Sequence, residues 1–350
     1  MTTVSPDNLS AAAPLRLSVL DQSVAAAGRP QSDALRQTVA LAAHCEALGY
    51  DRFWVSEHHG HPSIVGSAPE VLLAAIAMRT RRIRIGSAGV MLPHYASFKV
   101  AEQFRVLDAL APGRIDLGVG RAPGSDRRTA ALLNPDLGAA ERFAQQVAEL
   151  RLWIDGQEMP PGHRGHGVQA HPQSDTAPAL WMLGSSDYGA QVAGHFGLPY
   201  AFAWFITEGP GADQALALYR STFKPSAVLA RPQAVVCAWA LAADTEDEAW
   251  RLFQSRERWR MDRNAGRLGP LLPPDEALRD YAPSERPERD GLRDRALVGT
   301  AAQVGEKLRA LAARLQVDEV AVITWTHDPA AQRRSYELLA QEFGLAGAIA

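Results

Sequence analysis

Short apolar runs alternate with longer stretches of helical spacing along most of this chain. Compact apolar runs bounded by polar or turn residues are typical of buried strands, whereas apolar residues three and four positions apart indicate helices. The pattern predicts strands at Leu15–Leu20, Phe53–Val55, Ile83–Val90, Ile115–Gly120, Ala179–Leu183, Leu198–Trp204, Ala234–Leu241 and Glu319–Ile323. It predicts helices at Ser32–Leu48, Pro69–Met78, Ser97–Leu110, Ala139–Ile154, Asp187–Phe196, Gly211–Phe223, Thr245–Met261, Thr300–Leu315 and Pro329–Phe343.

This alternation predicts an α/β fold, a (β/α)8 TIM barrel with insertions at its C-terminal face. A doubly wound open sheet is the alternative, but no G-x-G-x-x-G pattern follows the first strand, where the chain reads Leu20-Asp21-Gln22-Ser23-Val24. We expect a single domain over residues 1–350, with a flexible N-terminus at 1–14. The stretch 262–296 lacks a sustained apolar period and is expected to form a lid-like insertion, and Ala122–Leu137 is expected to be a loop.

Composition and charge narrow the classes of function. The chain has 350 residues, 47% hydrophobic and 21% charged, and its net charge of -3 gives no basic surplus for nucleic acid or an anionic membrane. Met1–Pro14 lacks a basic segment followed by an apolar core, so we expect no signal peptide. No apolar run reaches the ~20 residues of a membrane helix. Cys45 and Cys237 fit buried free thiols, which agrees with a cytoplasmic location.

The second predicted strand ends in a carboxylate and two imidazoles, Glu57, His58 and His59. Chemistry in parallel barrels collects at the carboxyl ends of strands, so this is a candidate site. Adjacent histidines could ligate zinc, but His61 or His94 would have to complete the ligand set. Neighbours in an extended chain point to opposite sides, so we expect only one imidazole to face the barrel mouth. From residue chemistry alone, a catalytic role and an ordinary hydrogen-bonded role stay equally open.

A second candidate site lies where Gly184-Ser185-Ser186 opens a predicted helix. Backbone N–H groups, hydroxyls and the helix dipole would attract an anion there. Arg121, at the end of the fourth strand, could make a bidentate contact with the same phosphate. This combination suits a mononucleotide-type cofactor, although such a triplet taken alone is usually a turn followed by a helix cap.

Several stretches, in a fixed order, carry a resemblance to a known family. They are Trp54-Val55-Ser56-Glu57-His58-His59, Ile85-Gly86-Ser87-Ala88-Gly89-Val90-Met91-Leu92-Pro93, Pro112-Gly113-Arg114-Ile115-Asp116-Leu117-Gly118-Val119-Gly120-Arg121, Leu183-Gly184-Ser185-Ser186, Phe196-Gly197-Leu198-Pro199 and Val298-Gly299-Thr300. Together they resemble the bacterial luciferase-like monooxygenases, which are flavin-dependent barrel enzymes. The resemblance extends over nearly the whole chain.

The resemblance implies a role for each matched position. The family's catalytic histidine falls on His58, with Glu57 as a supporting residue that orients it. A non-proline cis peptide beneath the flavin ring falls on Ala88 and Gly89, and the phosphate-binding arginine falls on Arg121. The other cofactor-binding positions are Gly120, Met182, Gly184, Ser185, Ser186 and Tyr188, and no metal is implied.

Two positions depart from luciferase itself. Gly120 stands where luciferase has a reactive cysteine, and Gly184–Ser185 stands where it has Glu-Ser. Loss of a thiol beside the flavin argues against light emission and long-chain aldehyde specificity, while flavin use is unaffected. In this respect the chain is similar to the non-luminescent single-chain members.

The implied activity is that of an FMN-dependent monooxygenase, in which reduced FMN and dioxygen form a flavin peroxide that oxidises a small organic substrate such as an aldehyde or ketone. His58 would exchange a proton in this reaction, because an imidazole with a pKa of ~6.5 works in both directions near neutrality. Two alternatives stay open: a deazaflavin-dependent oxidoreductase of the same fold, and a non-catalytic flavin-binding subunit.

The resemblance also implies partners. No reductase domain or dinucleotide fingerprint is visible, so we expect reduced flavin to come from a separate NAD(P)H-flavin reductase. Family members commonly pair through early helices, which makes Ser32–Leu48 and Pro69–Met78 candidate surfaces of a homodimer.

Overall fold

A computed structural model describes residues 14–136 and 138–347, so the expected flexible N-terminus at 1–14 falls almost entirely outside the described residues. The strands are β1 Arg16–Asp21, β2 Arg52–Val55, β3 Arg84–Met91, β4 Ile115–Gly120, β5 Ala179–Gly184, β6 Tyr200–Phe202, β7 Ala234–Ala243, β8 Leu297–Thr300 and β9 Glu319–Ile323. The helices are α1 Gln31–Leu48, α2 Pro69–Arg79, α3 Ser97–Leu110, α4 Arg127–Leu133, α5 Phe143–Ile154, α6 Asp187–Phe196, α7 Trp204–Thr207, α8 Ala212–Thr222, α9 Glu246–Asn264, α10 Pro274–Ala277, α11 Arg286–Asp294, α12 Ala301–Leu315 and α13 Pro329–Glu342.

Eight parallel strands close into a barrel, which confirms the predicted fold. Strands β1 to β6 pair in chain order, β7 pairs with both β6 and β9, and β9 closes the ring against β1. The further strand β8 pairs only with Ala240–Ala243 of β7, beyond the part of β7 that belongs to the ring. We predicted no strand at β8.

Alternating residues of the strands fill two separate apolar cores. Val19 of β1 and Phe53 of β2 share a register position and belong to the core between the barrel and its helices. The next pair, Leu20 and Trp54, belongs to the cluster inside the barrel. Trp54 meets Trp181 there edge to face, with ring centroids 5.1 Å apart. The barrel is therefore packed through its middle.

Buried charges close the N-terminal end of the barrel. Arg52 donates from Nη1 to Asp116 Oδ2 and from Nε to Glu319 Oε1, at 2.8 Å in both cases. The Trp54 indole N–H also donates to Asp116 Oδ2 at 3.0 Å. Because each charged group has several partners, the layer meets the condition under which buried ions are tolerated. The space left for a ligand lies at the opposite, C-terminal mouth.

Other element predictions also differ from the structure, and the predicted helix Ala139–Ile154 becomes α-helical only at Phe143. The sixth strand is shorter than Leu198–Trp204, because Trp204 already begins α7. Ala122–Leu137 is not only a loop: α4 forms within it, capped by Asp126, whose carboxylate accepts the backbone N–H groups of Arg128 and Thr129. The region predicted as irregular, 262–296, contains α10 and α11.

Both cysteines are buried and unpaired, as predicted. Across residues 14–136 and 138–347, no helix combines the length and the apolar character needed to cross a membrane.

Candidate active site

A cavity of about 630 Å³ lies at the C-terminal mouth of the barrel, where residues that follow the parallel strands converge. The strand ends supply Leu20 and Gln22 from β1, Ser56 and His58 from β2, Ala88 and Gly89 from β3, Gly120 and Arg121 from β4, Gly184 and Ser185 from β5, Ala203 from β6, Trp239 from β7 and Trp325 from β9. All of the predicted site residues except Glu57 and Met182 line this cavity.

His58 lies in the wall of the cavity just after β2 ends. Its backbone N–H donates to Gly66 O at 3.0 Å, and its Nδ1 lies 3.2 Å from Ser56 Oγ. The pKa of His58 is lowered from 6.5 to about 4, mainly by burial and to a smaller extent by the nearby His61, His59 and Arg263. At neutral pH the imidazole is therefore uncharged, which differs from the unperturbed pKa that we expected.

Glu57 points away from the cavity and does not contact His58. Its Oε1 lies 2.7 Å from His59 Nε2 and accepts from the Tyr95 hydroxyl at 2.7 Å, while its Oε2 accepts from the Met91 N–H at 3.1 Å. The expected orientation of His58 by Glu57 is therefore wrong, because the carboxylate is turned toward His59 and β3.

Both imidazoles of the pair line the cavity, whereas we expected only one to do so. The expectation relied on the alternation of an extended chain. Strand β2 ends at Val55, so His58 and His59 lie in a turning segment where that alternation no longer applies.

The backbone of β3 bends at the cavity wall. The peptide bond between Ala88 and Gly89 is cis, as the resemblance implies, and the pairing of β3 with β4 shifts register between Ser87 and Val90. A Cβ atom on Gly89 would lie 2.7 Å from Gly118 O, closer than real Cβ contacts. Only glycine fits at this close approach of two strands.

Arg121 lines the cavity at the end of β4, the strand next to β3. Its guanidinium stacks on the Tyr188 ring, with Cζ 4.1 Å from the ring centroid. Among the described residues no carboxylate lies within 4.0 Å of it, and no side chain accepts its hydrogen bonds. The guanidinium is thus held in place by an aromatic ring with its donors unused.

Ser185 and Ser186 follow β5 and lead into α6, whose N-terminal cap is Ser186. The Ser186 side chain makes no capping hydrogen bond, so the hydroxyl and the first N–H groups of α6 are not paired with one another. Gly120 and Gly184 leave room beside them: a Cβ atom at Gly120 would meet only Met91 Sδ, at 3.9 Å.

Met182 does not reach the cavity, so its predicted contact with a cofactor is wrong. It is fully buried in the core between the barrel and the helices, whereas the neighbouring Leu183 lines the cavity. The alternation of β5 sends Met182 outward.

One face of α9 forms a wall that we did not predict. Arg256, Trp259, Arg260 and Arg263 all line the cavity. Their spacing of three and four residues places them on one side of a helix. Because these residues recur at helical spacing in the sequence, the sequence itself indicates an arginine-rich face on this helix. In the described part of the chain, no three His, Cys, Asp or Glu side chains converge as a metal site.

A closed parallel barrel whose C-terminal mouth holds a buried histidine, an arginine without a described partner and the start of a helix has the architecture of a barrel enzyme with its active site at that mouth. The sequence profile of the luciferase-like monooxygenase family matches residues 15–319. The chain belongs to this family and is an oxidoreductase of the oxygenase type.

Similar proteins cover almost the whole chain. The uncharacterized protein YwcH of Bacillus subtilis is 45% identical, over 93% of this chain and 98% of its own length. The N-acetyl-S-alkylcysteine monooxygenase of the same organism is 36% identical, over 93% of this chain and 97% of its own. The crystal structure of apo-MsnO8 has a TM-score of 0.86 at 33% identity, over 95% of this chain and 99% of that one. Solved structures that share the fold at lower identity contain FMN or F420.

Proposed function

We propose that this protein is a monooxygenase that uses reduced FMN and dioxygen to oxidise a small organic substrate. The observation that carries the proposal is the convergence, around one cavity, of an unpaired arginine, an open helix start and a buried neutral histidine. The arginine and the helix start can bind a phosphate, and the histidine can accept or donate a proton.

The residues of the cavity fit FMN. The phosphate would bind Arg121, the hydroxyls of Ser185 and Ser186, and the first N–H groups of α6, with Tyr188 holding the guanidinium. The small Ala88–Gly89 segment offers exposed backbone to a flat ring. Bound reduced FMN would supply the electrons that place one oxygen atom of dioxygen in the substrate and the other in water.

His58 would move the proton in this reaction. Ser56 orients the ring through Nδ1, which leaves Nε2 without a partner among the described residues. Because the imidazole is neutral, Nε2 can accept a proton when charge develops in the cavity and return it later. Glu57 would not contact the reacting groups, and would position His59 and Tyr95 rather than His58.

Water exclusion is the other task of this chain. Leu268 and Gly266, from the stretch 262–296, reach the cavity together with Trp259 and Trp325. We propose that this stretch covers the mouth and keeps water from the reacting oxygen. On this proposal, residues 262–296 form a lid that belongs to the single domain of the protein.

The remaining parts of the proposal concern partners and location. Reduced FMN would come from a separate NAD(P)H-flavin reductase, and the enzyme would act in the cytoplasm as a homodimer. The large apolar side chains Val71 and Met78 of α2 and Val106 and Leu110 of α3 are exposed, which supports a partner surface on these helices.

The cofactor is tested by binding measurements with FMN, riboflavin and F420. FMN is expected to bind best, and Arg121→Ala is expected to weaken FMN binding roughly 10- to 100-fold through loss of a charged hydrogen bond. Riboflavin lacks the phosphate, so it should bind more weakly than FMN and with the same affinity to the wild type and to Arg121→Ala. Preferred binding of F420 would instead support the deazaflavin-dependent oxidoreductase.

The reaction is tested by adding reduced FMN, dioxygen and a panel of aldehydes, ketones and thioethers. Thioethers belong in the panel because a relative is named for N-acetyl-S-alkylcysteines. We expect His58→Ala to bind FMN as the wild type does and to lose roughly 100-fold or more of its oxygenation rate. His166→Ala, in an exposed loop, is the matched control. Unchanged turnover in His58→Ala contradicts the proposed role, and FMN binding without turnover in the wild type supports the non-catalytic alternative.

A further inference from the structure

The wall formed by α9 places more positive charge at the cavity than a flavin phosphate requires. Arg256, Arg260 and Arg263 all lie on it, on the same helix face as Trp259. The proposed phosphate site is built from β4 and β5 and already has its own arginine, Arg121. The α9 arginines therefore need a different explanation.

A single carboxylate faces these arginines. Glu208 accepts from Arg256 Nη2 at 2.9 Å, and it lies 4.0 Å from Arg260 and 3.9 Å from Arg295. Arg256 and Glu208 are both buried, and the Arg256 guanidinium also stacks on Trp239, with Cζ 4.3 Å from the ring centroid. One negative charge is thus shared by three arginines before Arg263 is considered.

Two acids on the same part of α9 as these arginines, Glu257 and Asp262, are paired away from the cavity. Glu257 pairs with Arg293. Asp262 accepts from Arg258 Nε and from Arg267 Nη2, both at 2.6 Å. None of these acids lines the cavity, so none of them neutralises its wall.

Arg263 is the cavity-lining arginine of α9 that has no ionic partner within 4.0 Å among the described residues. Its guanidinium makes no hydrogen bond or ion pair with any described residue, and its Cζ lies 5.9 Å from the centroid of the Trp259 ring. Its charge lowers the pKa of both His58 and His61, although burial is the larger cause at each imidazole. Arg263 is therefore close enough to the proposed reaction site to act on a molecule that reaches His58.

Arg263 is itself exposed, and the part of the cavity wall next to it is apolar and aromatic. Trp259 and Trp325 stand edge to face, with ring centroids 4.6 Å apart, and Leu268 and Ile206 line the same part of the cavity. The Trp259 indole N–H donates to Ser63 Oγ at 2.8 Å, which fixes the ring. A molecule bound here would meet an apolar, largely aromatic wall, with the Arg263 guanidinium, which has no partner among the described residues, at its edge.

We propose that the substrate is an apolar organic carboxylate whose anionic end binds Arg263, with Arg260 beside it, and whose body packs on Trp259 and Trp325. The inference rests on the proposed oxygenase function and names the class of its substrate. A carboxylate matches the planar fork of a guanidinium, and an uncharged analogue would leave Arg263 unpaired.

The experiment compares acids with their primary carboxamides, which have nearly the same shape and no charge. The probes are 4-phenylbutanoate and N-acetyl-S-benzyl-L-cysteine, and binding is measured by calorimetry on the protein with and without FMN. We expect each acid to bind the wild type at least 10-fold more tightly than its amide. In Arg263→Gln this preference should fall to less than about 3-fold, because the charged hydrogen bonds are lost. Arg263→Lys should keep part of it.

Arg267→Gln is the matched control, because Arg267 lies on the same segment, pairs with Asp262 and does not line the cavity. It should preserve the full preference for the acids. Equal binding of acid and amide to the wild type, no binding of either acid, or an unchanged preference in Arg263→Gln each contradict the proposal. Failure of FMN binding, recorded separately, would contradict the flavin function while the acid–amide comparison still decides the role of Arg263.

Discussion

His58 lies beside Ser56 and His61, with the Arg263 charge close enough to oppose an added proton. The environment thus makes the imidazole a neutral group that gains a proton only when the reaction creates negative charge nearby. An imidazole in water would instead be partly charged at the same pH. Burial, and not the histidine side chain alone, therefore sets the charge of His58 at neutral pH.

This burial predicts how stability changes with pH. The pKa of His58 is about 4 in the folded protein and near 6.5 in the unfolded chain, so the unfolded chain binds more protons between these values. The contribution of His58 to stability is therefore complete above pH 6.5 and is lost as the pH falls toward 4. The free energy of unfolding of the wild type should drop by roughly 3 kcal/mol relative to His58→Gln over this range.

Denaturant unfolding of both proteins at pH 7.5, 5.5 and 4 measures this difference. His166→Gln is the control, since His166 lies in an exposed loop and does not line the cavity, and its curve should run parallel to that of the wild type. Parallel curves for wild type and His58→Gln would contradict the lowered pKa.

Residue identities could be predicted better than side-chain directions. The ordered motifs identified His58, Arg121 and the cis peptide at Ala88–Gly89. The end of β2 at Val55 was predicted, but Glu57 lies beyond it, where strand alternation gives no direction. Its carboxylate is held by His59, the Met91 N–H and the Tyr95 hydroxyl, and the contacts with Met91 and Tyr95 join residues distant in sequence that no local pattern records.

At the scale of elements, the charged layer under the barrel floor links strands that are distant in sequence. Arg52 of β2 bridges Asp116 of β4 and Glu319 of β9, and all three side chains are buried. Removal of one partner would leave the others buried and incompletely paired. Such layers are costly to disturb, even where forming them contributes little net stability.

Asp116→Ala is therefore expected to lower the free energy of unfolding by about 3–5 kcal/mol, because Arg52 and the Trp54 indole N–H lose their acceptor. Asp51→Ala is the matched control, since the Arg16–Asp51 pair is partly exposed to solvent, and it should cost only about 0–1 kcal/mol. Chemical denaturation followed by circular dichroism measures both. Similar losses in the two variants would show that the buried layer does not stabilise the barrel.

Most elements could be predicted from local patterns, because strands and helices of this barrel carry strong apolar periods. Strand β8 could not, since its four residues pair only with the overhanging end of β7 and gain their stability from that long-range contact. Helix α4 was missed for the opposite reason. Its formation depends on a local cap at Asp126 inside a stretch rich in loop-forming residues.

At the scale of the whole molecule, exposed apolar residues mark two neighbouring helices. Val71 and Met78 of α2 are 67% and 53% exposed, and Val106 and Leu110 of α3 are each 48% exposed. On α1 only Leu35 is comparable, at 37%. Of the two helices we expected at a homodimer contact, α2 is thus the better supported, with α3 beside it.

Val71→Glu combined with Met78→Glu is expected to convert the proposed homodimer into a single chain, because charges would replace apolar contact area. Light scattering after size-exclusion chromatography measures the mass. Val228→Glu combined with Val168→Glu is the control, since these residues are also exposed but lie on other parts of the surface. A wild type that already runs as a single chain, or a double variant that stays paired, would contradict the proposed dimer.

The end of β7 that extends beyond the barrel ring, Ala240–Ala243, has a consequence for how such enzymes diversify. Helices α9 to α11 branch from Ala243 and return through β8, outside the ring that closes the barrel. Mutations in this branch can reshape one wall of the mouth without disturbing the strands that hold the other wall. Selection can therefore change what the enzyme accepts while the half of the mouth assigned to the cofactor is inherited unchanged.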